Sequence, residues 1–189
     1  MTKDQVSLFL ALLAVIAELA VVIALVVAIG GLFSKRLARA RGAAAAAVGP
    51  QALALAFAVA AVSMLGSLYF SEIAHFPPCA LCWYQRIAMY PLVVILFVAA
   101  IRGDDRVIRY AGPLAAIGAL ISIWHIGVER LPGLPSGSCS VDAPCSTIYV
   151  QVLGFVTIPT MALAGFLAVI TLLLLRSSGG TDPELETPA

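Results

Sequence analysis

Five long apolar stretches separated by short polar segments set the pattern of the chain: residues 6–33, 51–70, 83–101, 111–128 and 151–175. Each is long enough to cross a hydrocarbon core, which takes roughly 20 helical residues. Leu, Ile, Val, Ala and Phe fill them without the period-two alternation of a membrane β-strand. The pattern therefore predicts helices, whose backbone hydrogen bonds close within each segment. Pro91, Pro113 and Pro159 fall inside or near the ends of these spans, where kinks are tolerated.

The connections are short, which predicts one compact bundle. "RGDDRVIRY" joins the third and fourth spans as an antiparallel pair. The connection at residues 129–150 is the longest and carries "LPGLPSGSCSVDAPCS", too rich in Pro, Gly and Ser to be helical over much of its length. A loop of that length is usually functional or disordered. The alanine-rich "GAAAAAVG" reads as the end of the second helix, and the polar tail "SSGGTDPELETPA" as disordered.

Composition agrees with the membrane reading: 62% of the residues are hydrophobic and 11% charged, too few charges to cover a soluble domain. A net charge of +1 gives no sign of a nucleic-acid partner. The placement of charge says more. Lys35, Arg36, Arg39, Arg41, Arg102, Arg106, Arg109 and Arg176 all fall at one end of the spans, against Lys3, Arg86 and Arg130 at the other. The positive-inside rule makes the first end cytoplasmic. The N-terminus is then outside, the C-terminus inside, and both cysteine-bearing connections face outward. The first span is longer than a signal-peptide core of roughly 7–15 residues. Its basic cluster also follows it instead of preceding it, so a retained helix is expected.

The four cysteines form two pairs, Cys79 with Cys82 and Cys139 with Cys145, one pair in each outward connection. In an oxidising compartment two structural disulfides are the plain expectation. That suits Cys139 and Cys145, in a loop that a bridge would restrain. It suits C-x-x-C poorly, because so small a ring restrains little chain. Pro77 and Pro78 end any preceding helix and Trp83 opens the next span, so Cys79 and Cys82 belong at a helix N-terminus. There the unpaired N–H groups and the helix dipole favour a thiolate. Arg86, four residues after Cys82, would add a cation on the same face. It would equally serve as a snorkelling anchor, and the pattern leaves both roles open. A zinc site would need all four thiols reduced, which the oxidising face disfavours, so no metal is expected.

At "PCALCWYQRIAMYPL" the sequence resembles the disulfide bond formation protein B family, particularly its BdbC-like branch, and "PSGSCSVDAPCSTIYVQVLGFVTIP" resembles that family's second loop and the helix after it. Family members usually have four helices. The resemblance thus implies an all-α integral membrane protein: a four-helix transmembrane bundle over residues 43–176, plus one additional N-terminal transmembrane helix with a basic linker over 1–42 and a tail over 177–189. It implies a relay in a bacterial cytoplasmic membrane. A reduced thioredoxin-like thiol oxidase outside the membrane forms a mixed disulfide with Cys139, whose partner is Cys145. Electrons pass to Cys79–Cys82, and Cys82 is the thiolate that faces a quinone, ubiquinone or menaquinone. Arg86 matches the family arginine that supports that thiolate. Gln85 stands where some members carry glutamate, which leaves the proton route open.

His125, near the outer end of the fourth span, also resembles a family histidine and is a candidate to hydrogen-bond a quinone carbonyl or carry protons. The plainer alternative is a histidine satisfied inside the bundle. Trp83, Tyr84, Trp124 and Tyr149 read first as interfacial aromatic anchors, with Trp83 and Tyr84 also placed to border the quinone. Glu18 sits about 18 Å into the first span, at mid-membrane, and reads as a protonated interhelical hydrogen-bonder. Two rivals remain. A vitamin K epoxide reductase-like enzyme shares the bundle and cysteine pairs, but there the C-x-x-C follows the loop pair. The other is a membrane scaffold with structural disulfides.

Overall fold

A computed structural model describes residues 3–131, 139 and 143–179. The helices are α1 (Lys3–Gly30), α2 (Lys35–Val48), α3 (Ala52–Leu68), α4 (Ala80–Arg102), α5 (Ile108–Arg130) and α6 (Ile158–Gly179). Five helices are long and apolar enough to cross a membrane, with α2 and α3 counted as one run reaching Ile73. Each of the five apolar stretches thus contains a long helix, and the chain is an all-α membrane bundle.

Two boundaries differ from the pattern. The basic linker is itself helical: α2 runs through position 42 and continues by a 3-10 turn at Gly49–Gln51, with Pro50 in its first turn, into α3. Pro is tolerated there because the first N–H groups of a turn have no internal acceptor. The last helix starts at Ile158 and not at position 151. Leu153 and Gly154 adopt left-handed backbone (φ 54 and 77), closing a small turn bridged by Val152 and Val156. Hydropathy alone cannot register that reversal, because the turn is itself apolar. The stretches 132–138 and 140–142 of the long connection and the tail from 180 lie outside the described residues.

The core is the packing of α3, α4, α5 and α6. Leu92, Leu96, Phe166, Val169 and Leu173 are buried at its centre, among Ala56, Ala60 and Ala115. Phe166 lies over Gly118 of α5 so closely that a methyl group at 118 would collide with the ring. Small residues here let helices approach, the usual solution where lipid removes the hydrophobic drive between helices. At the basic end Arg176 donates to Asp105 (2.6 Å) and to the carbonyl of Gly49 (3.2 Å), tying α6 to both neighbouring connections. α1 packs along α6 through Ser7, Ala11 and Ala14, and its opposite face, from Phe9 to Ile29, is exposed, as a lipid-facing surface must be.

Candidate functional site

The site lies at the cysteine end of the bundle, where α4 begins. After α3 the chain widens into a π turn, Tyr69–Ile73, and His75 reverses it in the left-handed region (φ 59). Pro77 and Pro78 then deliver Cys79 to the N-cap position of α4, where its sulfur accepts from the Cys82 backbone N–H (3.3 Å). Cys82 falls in the first helical turn. The helix start expected from the two prolines is where the structure has it.

Cys79 and Cys82 are free thiols with sulfurs 2.9 Å apart, whereas Cys139 and Cys145 form a disulfide. The four cysteines pack as one cluster with Leu81 and Val128. His125 of α5 joins them. Its Nε2 lies 3.2 Å from the Cys145 carbonyl and 3.6 Å from Cys79 Sγ, and its Nδ1 lies 3.4 Å from the Gln85 amide nitrogen. A carbonyl can only accept, so Nε2 carries the proton and Nδ1 of the neutral ring accepts from Gln85. Cys79 is thus approached by the Cys82 thiol, the Cys82 backbone N–H and the His125 N–H. The Cys82 thiol hydrogen bond acts most strongly; with His125 it outweighs burial and pulls Cys79 down to about 4 from the ordinary thiol range. The thiolate-stabilising donors gather on Cys79.

Cys82 has a different neighbourhood. It lines an apolar cavity of about 340 Å³, together with Gln85, Arg86, Met89 and Tyr90 of α4. These positions make one stripe of the helix at i, i+3, i+4, i+7 and i+8. Across the cavity stand α3, α6 and α1, with Phe76, Pro77 and Pro78 over its cysteine end. Arg86 does not snorkel: it is 9% exposed, and donates from Nε to Ser67 Oγ (2.9 Å) and from Nη2 to the Ser67 carbonyl (2.9 Å). Tyr90 also reaches Ser67 Oγ (3.4 Å), and the Arg86 guanidinium lies 5.2 Å from the Trp83 ring centre. The guanidinium is held one helical turn from Cys82, a fixed positive charge beside the cavity-facing sulfur.

Several candidate residues lie elsewhere than the sequence reading has them. Trp83 and Tyr84 do not line the cavity and are 51% and 43% exposed: Tyr84 lies on the far side of α4 from the stripe, and Trp83 at its edge beside Tyr90. His125 is likewise off the cavity and touches the cysteine cluster, since α5 borders the Cys79 side of α4. Tyr149 turns inward, stacks on Phe76 (5.3 Å between ring centres) and lines the cavity. Glu18 is half-buried in α1 with no hydrogen bond to it among the described residues. Ser67 and Tyr90 are absent from the sequence reading; a serine at i+4 from Ser63 within an apolar span was the available signal. With Cys139 and Cys145 joined, a zinc site of four thiolates is not formed. Among the described residues, Cys79, Cys82 and His125 are grouped with donor atoms within 4.8 Å of one another.

Cys82, Gln85, Arg86 and Ser67 border the cavity near the cysteine end, and most of the remaining lining is apolar, with Ser63, Ser71, Tyr90 and Tyr149 among it. A helical membrane bundle that packs a C-x-x-C thiol pair against a separate loop disulfide has the arrangement that dithiol–disulfide exchange requires. Residues 49–176 match the family model described as disulfide bond formation protein DsbB. Disulfide bond formation protein C of Bacillus subtilis (strain 168) is 53% identical over 119 residues, 62% of this chain and 86% of that protein. A probable disulfide formation protein C 2 of Bacillus anthracis is 46% identical over 124 residues, 66% of this chain and 89% of its own length. A probable disulfide formation protein of Oceanobacillus iheyensis is 44% identical over 134 residues, 67% and 90% of the two chains. No solved structure matches. The chain belongs to the DsbB family of disulfide bond formation proteins, and α1 lies outside the matched residues.

Proposed function

We propose that this chain is a quinone-dependent thiol:disulfide oxidoreductase that reoxidises a thioredoxin-like thiol oxidase outside a bacterial cytoplasmic membrane. The observation that carries the reading is the two-sidedness of the C-x-x-C pair. Cys79 packs against Cys145 and His125, and Cys82, 2.9 Å away, faces the apolar cavity beside Arg86. One sulfur meets the protein disulfide, and the other meets a space suited to a lipid-soluble acceptor.

The exchange steps balance as follows. A thiolate of the reduced partner attacks Cys139, the Cys139–Cys145 bond breaks, and Cys145 leaves as the thiolate. The partner's second thiolate then attacks the mixed disulfide, so the partner departs oxidised and the loop pair is left as a dithiol. Cys145 attacks Cys79 of an oxidised Cys79–Cys82 pair and Cys82 leaves, next to the Arg86 charge. Cys139 resolves the Cys79–Cys145 bond, which restores the loop disulfide and leaves Cys79 and Cys82 reduced. A bound quinone supplies a sink for two electrons and two protons. The residues of this chain align its cavity with Cys82, hold a cation there through Ser67, and keep an N–H of His125 on Cys79.

The basic end of the bundle is cytoplasmic by the distribution of Lys and Arg, which puts the cysteines on the oxidising side. The C-x-x-C preceding the loop pair in sequence argues against a vitamin K epoxide reductase-like enzyme. The test is turnover of a reduced thioredoxin-like protein by the purified chain with added ubiquinone or menaquinone. Cys82→Ser abolishes it, and a serine variant as fast as wild type would refute the relay. In Cys145→Ser the partner is trapped through Cys139; trapping through Cys79 alone contradicts the loop assignment.

A further inference from the structure

α1 has no counterpart in the matched family region, yet it forms a wall of the cavity that Cys82 faces. We infer that α1 holds the hydrocarbon tail of the lipophilic acceptor, so that tail length determines affinity in this chain. The inference rests on the quinone reading and adds a binding element to it.

Three observations carry it. First, Leu10, Leu13, Ala14 and Ala17 line the same cavity as Cys82 and Arg86. Second, the start of α1 is fixed to the cysteine end: the Lys3 ammonium donates to the Ala74 carbonyl (3.0 Å) and lies 5.8 Å from the Phe76 ring centre. α1 and α4 therefore descend from the same level. At about 1.5 Å per residue, Leu10 is roughly 10 Å below Lys3 and Arg86 roughly 9 Å below Ala80, so they share a depth. Ala17, roughly 21 Å down, lies below Tyr90 at roughly 15 Å, past the polar groups of α4. Third, Leu10 closes the upper side of the cavity against α3: its Cδ1 would stand 3.2 Å from a methyl at Gly66.

These depths sort the ligand. A ring with two carbonyls belongs at the level of Cys82, Arg86 and Ser67, where polar partners are. A tail attached to it continues into the apolar part, where Ala14 and Ala17 are small enough to leave it room.

The test measures binding directly, by quenching of tryptophan fluorescence in the full chain in lipid nanodiscs. Two ligands are titrated, a long-tailed isoprenoid quinone and its tail-less ring analogue. Ala17→Phe fills the tail's space from the α1 side, displacing roughly two methylenes' worth of contact. It raises the Kd of the long-tailed quinone on the order of tenfold, about 1.4 kcal/mol, and leaves that of the tail-less analogue within about twofold. Retained binding of the analogue reports an intact fold. Ala17→Leu gives a smaller effect of the same kind, and Val22→Phe, on the exposed face of α1, changes neither ligand. An unchanged Kd for the long-tailed quinone in Ala17→Phe, or equal losses for both ligands in both Ala17 variants, overturns the role of α1 while the quinone reading stands. Failure of the wild-type chain to bind either quinone overturns both.

Discussion

The reduced Cys79–Cys82 pair should carry a thiolate far below the usual thiol range, and the proton it depends on should be the one on Cys82. The measurement uses a Cys139→Ser/Cys145→Ser background, so that the only thiols are those of the C-x-x-C pair, and follows thiolate ultraviolet absorbance against pH. Cys79 is held down to about 4. A free thiol near 8.5 is roughly 3% ionised at pH 7, so Cys79 is about 30-fold richer in thiolate there. The sign follows from linkage. A folded-state pKa below the unfolded one gives the reduced fold a stabilisation that is complete above the unfolded value and is lost as pH falls through about 4. Cys82→Ala removes the strongest of the lowering contacts and should move the midpoint up further than His125→Phe does. Cys82→Ser keeps an O–H donor and should restore much of the shift. A wild-type midpoint near 8, or one that Cys82→Ala leaves in place, refutes the assignment of the donors to Cys79.

Two further outcomes follow from the packing. Ser67→Ala takes one of the two acceptors from Arg86, with the Ser67 carbonyl left in place. At about 1.5 kcal/mol for a hydrogen bond to a charged group, quinone-linked turnover should fall on the order of tenfold; unchanged turnover would mean that Arg86 is positioned by something else. Gly118→Ala drives a methyl into the fully buried Phe166 ring, and should lower stability by about 1–3 kcal/mol, read as earlier thermal unfolding in detergent.

Much of the bundle was legible because lipid imposes a simple rule: an apolar run of sufficient length must be a helix. The C-x-x-C position was legible for a local reason, since two prolines and an N-cap act over a few residues. The facing of α4 was available too. At about 100° per residue, 82, 85, 86, 89 and 90 share a side that Tyr84 faces away from, whereas Trp83 falls at its edge beside Tyr90, so the wheel alone keeps Tyr84 off the cavity and leaves Trp83 undecided. What spacing could not carry are contacts between remote segments. Ser67 to Arg86, Lys3 to Ala74 and Leu10 to Gly66 each join different elements, and nothing in either partner's local sequence names the other. The start of α6 failed for a third reason, because the turn at Leu153 and Gly154 is set by backbone dihedrals within a stretch that is apolar throughout.

The low Cys79 pKa has a consequence for direction that is easily read backwards. It is tempting to treat a stabilised thiolate as a better attacker. The intrinsic nucleophilicity of a thiolate falls with its pKa, with a Brønsted slope of about 0.4–0.5, so a drop from about 8.5 to about 4 costs roughly a hundredfold. The gain in ionised fraction at pH 7 is only about 30-fold, and the two nearly cancel, leaving Cys79 slightly slower than an ordinary thiol. Its donors therefore contribute little to attack. They act on the equilibrium: hydrogen bonds to the thiolate stabilise the reduced pair, and a stabilised dithiol makes its disulfide the stronger oxidant. In the proposed relay this would draw electrons from the loop pair toward Cys79, a sulfur that does not line the cavity. The neighbour that does face the cavity is Cys82, with Arg86 beside it. In the relay proposed above the acceptor would meet the pair on that side, where the cavity lining is largely apolar.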